Sequence, residues 1–129
     1  TPTYAVGQRW QAQGRHAEEQ PMVVIRRIDA HPLGGYIFHV SLDALQIQHP
    51  GLPNGVMTQL AHAPMVQQGL DASGLHLIDS VALTTDARFE QGYQEWKQAF
   101  IAGNAGAFGT PVAEVISIVQ RRLLAVNGG

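Results

Sequence analysis

The chain is predicted to be α+β: an N-terminal antiparallel sheet of three to four strands, followed by about three helices packed on one side. Three observations carry this. Residues 4–61 alternate apolar and polar positions between clusters of Gly, Pro and Asn, the pattern of short strands joined by turns. Residues 64–126 place apolar side chains at helical spacing instead. The chain has 129 residues, 45% of them apolar, which suits a single domain over 1–129 with a substantial core.

Tyr4 to Gln13 reads as the first strand, with Tyr4, Val6, Trp10 and Ala12 at period two. Gly14 to Gln20 is polar and reads as a solvated loop. Met22 to Asp29 is rich in β-branched residues and forms the second strand, with Arg26 and Arg27 expected on opposite faces. His31 to Gly35 supplies a turn. The third strand starts near Gly35, with Tyr36, Phe38, Val40 and Leu42 on one face. Beyond Leu42 the apolar phase moves to Leu45 and Ile47, which requires a bulge, a bend or a break. His49 to Gly55 is a second turn-rich loop, and Val56 to Ala61 is a fourth strand.

Pro64 suits the first turn of a helix, and this helix is expected to reach about Ile78, with Met65, Leu70 and Leu77 on its buried side. Gly69 and Gly74 weaken it. Asp86 is placed as the N-cap of the next helix. Phe89, Tyr93, Trp96 and Phe100 then fall at i, i+4, i+7 and i+11, a continuous aromatic stripe that Gly103 and Asn104 terminate. Thr110 as N-cap and Pro111 in the first turn open the last helix, whose apolar face is Val112, Val115, Ile116, Val119 and Leu123.

Eight basic and ten acidic side chains give a formal net charge of -2, which argues against nucleic acid as a partner. The chain has no Cys, so disulfides, thiolate metal sites and cysteine nucleophiles are excluded. No apolar run approaches the roughly 18–20 residues that span a membrane. Composition assigns neither a compartment nor an oligomeric state.

Among the six His, His39 and His62 stand out as catalytic candidates. His39 sits between Phe38 and Val40, and His62 closes the fourth strand. A hairpin around the 49–55 loop would bring them to one face, within a residue or two of direct pairing; a one-residue slip would separate them. Asp43 or Asp71 could complete a metal site with them, but neither has diagnostic spacing, and the plainer expectation is two half-buried rings, with no metal and no cofactor. Ser41, Ser73, Ser80 and Ser117 offer hydroxyls, none in a nucleophile elbow; a Ser73–His62–Asp grouping is the one arrangement to check. Glu18 and Glu19 are adjacent and read as solvated rather than as an acid–base pair. Arg9 could meet an anion, though a surface ion pair is the commoner use. The Gly-rich 103–111 segment leads into a helix but lacks the Lys of a phosphate loop. Tyr93 and Trp96 have polar tips and are the ligand-binding candidates if the aromatic stripe borders a pocket.

Val6-Gly7-Gln8-Arg9-Trp10, residues 24–29, Ile37-Phe38-His39-Val40, His62-Ala63-Pro64-Met65 and the Gly92-Tyr93-x-x-Trp96 helix, in this order, resemble a group of small uncharacterised bacterial proteins. The resemblance runs from about Val6 to Ile118 and implies a bacterial source and a compact α+β domain, without assigning site residues. The leading expectation is a non-catalytic module that binds another protein, of the inhibitor or immunity type. The alternatives are a small His-dependent hydrolase using His39 and His62, and a small-ligand-binding protein.

Overall fold

A computed structural model describes residues 4–128. Its centre is a five-stranded antiparallel sheet in the order β6-β3-β2-β1-β7. The strands are β1 Gln8–Gln11, β2 Met22–Ala30, β3 Tyr36–Asp43, β6 Leu60–Val66 and β7 His76–Ser80. A short second ladder pairs β4 Ile47–Gln48 with β5 Val56–Met57. The helices are α1 Gln67–Asp71, α2 Ala87–Ile101 and α3 Val112–Gly128.

The sheet buries both faces, so the helices are not all on one side. Along β3, Phe38, Val40 and Leu42 alternate with Ile37, His39 and Ser41, and all six are buried. Phe38, Val40 and Leu42 join Val23, Ile25, Ala63, Met65 and Leu70 in one core with Val112, Val115 and Ile116 of α3. His39 points the other way and meets Tyr93 and Trp96 of α2. The sheet is thus sandwiched between α3 and α2. Full burial of such aliphatic side chains contributes about 1.5–3 kcal/mol each, which makes the α3 side the main source of stability.

Several boundaries differ from expectation. β1 is shorter than the expected 4–13 strand. Ala44 adopts a left-handed conformation, φ 57°, and breaks the chain where the apolar phase moves. The expected fourth strand divides into β5 and β6. Pro64 does not open a helix: it lies inside β6, opposite His39. β6 ends one side of the sheet, where a proline's missing N–H is tolerated. The expected 64–78 helix reduces to the five residues of α1, and Leu77 lies in β7, half-exposed rather than in the core. Gly69 permits a close approach to α1. A Cβ there would lie 2.7 Å from the Thr110 carbonyl oxygen and 2.9 Å from that of Phe108, so the bare backbone lets the 108–110 segment close onto α1. The sheet therefore takes the end of β6 and the whole of β7 from the half of the chain expected to be helical.

Asp86 caps α2, accepting from the Arg88 and Phe89 amides at 2.9 and 3.1 Å. Thr110 does not cap α3; its buried hydroxyl has no hydrogen-bond partner. Ser73 does this instead, accepting from the Val112 amide at 2.9 Å while donating to the Gly69 carbonyl at 2.7 Å.

The 14–20 segment is not wholly solvated. Glu18 is exposed, but the Glu19 carboxylate is fully buried. It accepts from Arg15 Nε and Nη2 at 2.8 and 2.7 Å and from the Arg15 amide at 3.0 Å. These charge-assisted bonds hold the Glu19 carboxyl below its ordinary range despite burial, which acts the other way.

Candidate functional site

His39 and His62 meet under α2. His39 lies opposite Pro64 in the β3–β6 ladder, so His62, two residues before Pro64, is its diagonal neighbour on the same face. Their rings stack at 5.1 Å, and His39 Nδ1 lies 2.9 Å from His62 Nε2. The sequence-expected proximity is met, displaced by two residues from direct pairing.

The third member, Asp29, was not anticipated. Asp29 Oδ2 lies 3.1 Å from His39 Nε2, a close but bent contact that leaves the ring nitrogen without a well-aligned bond. The same oxygen accepts from the Tyr93 hydroxyl at 2.7 Å, and Arg27 Nε approaches the carboxylate at 3.1 and 3.2 Å. A register shift between Ile25 and Arg27 explains the arrangement. It turns Arg26 and Arg27 to the same face, so Arg26 sits 5.7 Å from the Phe89 ring centre and Arg27 4.5 Å from that of Tyr93. The expectation of one arginine on each face is corrected by this bulge. The available signal was that Asp29 shares strand parity with Arg27.

A carboxylate beside His39 Nε2 places that ring's proton there. Nδ1 then accepts, and His62 Nε2 donates. Phe89, Tyr93 and Trp96 surround the two rings at 4.8–6.1 Å. Burial pushes both imidazoles down to about 4, against an opposing pull from Asp29 on His39 and with added repulsion from His39 on His62. Asp29 is held below its ordinary range by the Tyr93 hydroxyl and Arg27, which outweigh burial.

This site has the order of a relay but lacks reaction partners. No hydroxyl nucleophile lies within hydrogen-bond reach of either imidazole among the described residues. Ser41 shares their face, yet its hydroxyl donates to the Ala61 carbonyl at 2.8 Å and accepts from Arg26 Nε at 2.6 Å. Ser73 is buried at the α1–α3 junction, so the Ser73–His62 grouping does not form. The cavities bordering the site, one over Arg26 and Asp86 and one over Trp96 and Arg122, are lined by neither histidine. Among the described residues, no group of three or more His, Asp or Glu side chains is disposed to hold a metal; Asp71 instead accepts from the Tyr4 hydroxyl at 2.6 Å.

The two ligand-binding candidates separate. Tyr93 is buried with its hydroxyl on Asp29. Trp96 is half-buried, donates its indole N–H to the Gly106 carbonyl at 2.8 Å and walls a cavity. Arg9 forms a bidentate ion pair with Asp79 at 2.7 and 2.6 Å across the β1–β7 ladder.

The two sheet edges are treated differently. The outer side of β6 is covered by the 108 segment: Val66 N–H donates to Phe108 O at 3.0 Å and Phe108 N–H to Pro64 O at 2.8 Å. The outer side of β7 pairs with no strand among the described residues. Along it Leu77 and Ile78 are 51% and 48% exposed, and Val6 and Val81 beside it 54% and 38%. No helix among the described residues is long and apolar enough to cross a membrane.

No protein family matches the chain, and no curated protein or solved structure matches it.

Proposed function

We propose that this chain is a non-catalytic protein-binding module of the inhibitor or immunity type, which captures an extended segment of a partner protein on the open edge of β7. The observation that carries the proposal is the contrast between the edges. β6 is closed by the chain's own 108 segment, whereas β7 offers free backbone groups beside Leu77, Ile78, Val6 and Val81. Unprotected edges invite strand addition, in which main-chain bonds give affinity and flanking side chains give selectivity. A bacterial source, implied by the resemblance, belongs to the same reading.

The hydrolase alternative has less support. Its histidines are packed under α2, with no nucleophile in reach among the described residues and lining neither neighbouring cavity, and act here as a polar clasp.

The test is co-expression with the product of the adjacent gene, followed by size-exclusion chromatography. The reading expects a complex that Ile78→Lys disrupts by at least about tenfold in affinity. Exposed positions tolerate such a change with little loss of fold. Co-elution untouched by Ile78→Lys and Leu77→Lys would overturn the β7 assignment. Self-association of the isolated chain through the same edge would replace the foreign partner with a second copy.

A further inference from the structure

We infer that the cavity between Trp96 and Arg122 is a binding site for a small carboxylate with a flat apolar body. It lies beside β6, at the opposite edge of the sheet from β7, and stands independently of the docking proposal.

The cavity holds about 500 Å³ and is walled by Pro64, Trp96, Asn104 and the following residues 105–107, Phe108 and Arg122. That size falls within the usual range for small-molecule sites, which are mostly apolar with a few placed polar groups. Trp96 forms a fixed wall. Its N–H is tied to the Gly106 carbonyl, one face stacks on Phe100 at 4.7 Å and 17°, and it meets His39 edge-on at 4.8 Å. A flat apolar group entering the cavity would therefore meet an aromatic surface that is already ordered, which lowers the entropic cost of binding.

The charge at the mouth selects the head group. Arg9, Arg15 and Arg27 each engage a carboxylate, and Arg26 engages Ser41. Arg122 is exposed and, like Arg88, Lys97 and Arg121, has no side-chain ion pair or hydrogen bond among the described residues, but of these four it alone lines this cavity. The amides of Ala105, Gly106 and Ala107 likewise have no partner among the described residues. A guanidinium fork matches a carboxylate in bidentate geometry. With a single arginine among walls that mix apolar side chains with polar groups, a monoanion fits better than a doubly charged phosphate, whose desolvation would lack a second cation.

The experiment is an NMR titration of the full chain, 15N-labelled, with benzoate, phenylacetate and indole-3-acetate, each against its neutral amide. The expected result is saturable movement of the Trp96 indole N–H and the 105–107 amides by at least one acid, with a dissociation constant of about 1 mM or tighter. Its amide should bind at least about tenfold more weakly. Arg122→Gln should abolish that preference, and Arg121→Gln should keep it. Failure of all three acids to saturate by about 10 mM, equal binding of an acid and its amide, or a preference that survives Arg122→Gln would each overturn the inference. An intact spectrum of Arg122→Gln outside the loop keeps a folding defect from imitating a lost site.

Discussion

His39 Nδ1 and His62 Nε2 are 2.9 Å apart, within hydrogen-bond distance, and Asp29 Oδ2 lies 3.1 Å from the other nitrogen of His39. This relationship joins three strands and α2. Asp29 comes from the end of β2, His39 from the middle of β3 and His62 from β6, while Tyr93 of α2 closes on Asp29. With His62 Nε2 donating, a second proton on His39 would go to Nδ1 and set two donors against each other, whereas a second proton on His62 would go to its far nitrogen and be opposed by burial.

That arrangement makes stability depend on pH. The folded chain holds both imidazoles near 4, whereas the unfolded chain protonates histidine near 6.5. Between those values the unfolded state binds more protons, so the stabilisation is complete above about pH 6.5 and is lost as pH falls toward about 4. Asp29, lowered in the folded state and set beside Arg27, adds loss in the same direction at the acid end. Urea unfolding at a series of pH values should show the midpoint falling across this window, with a shallower fall in His62→Gln. A flat profile would mean that both rings are solvated.

Gly92 lets α2 rest on His62. A Cβ at this position would lie 3.0 Å from the His62 Cβ, tighter than ordinary side-chain contact. Gly92→Val should therefore destabilise by about 2–3 kcal/mol through overpacking, although glycine is itself a poor helix former. Chemical denaturation reads this directly, and a stabilised variant would place α2 farther from β6.

The Arg15–Glu19 pair is the buried charge on which the 14–20 segment depends. Arg15→Ala leaves the Glu19 carboxylate buried without its main partner and should cost about 3–5 kcal/mol. Replacing both residues with apolar groups of similar size should cost less than the single change. A double-mutant cycle measures the difference, and additive losses would show that the two side chains act separately.

Much of the architecture was legible because local signals agreed. Period-two alternation marks β2 and β3, and Asp86 with the aromatic stripe marks α2. What failed depended on contacts distant in sequence. Pro64 carries a helix-start signal, but its pairing opposite His39 draws it into the sheet, and the five-residue α1 is followed by the left-handed Gly74, φ 63°. Leu77 fits a helical face equally well, and the ladder with β1 decides against it. Of the site, His39 and His62 were readable from hairpin geometry. Asp29 was not, because the bulge after Ile25 decides which face Arg26 and Arg27 share. Glu19 looked solvated because nothing local reveals that Arg15 and Gln46 enclose it.

The central claim is that partners dock on β7 while the histidine site stays closed. Hydrogen–deuterium exchange of the chain with and without the adjacent-gene product tests it most directly. New protection confined to residues 76–81 and the neighbouring Val6–Gly7 strand entry is the predicted result. Protection appearing instead over α2 and His62, with residues 76–81 exchanging unchanged, would contradict the account and return the function to the histidine face.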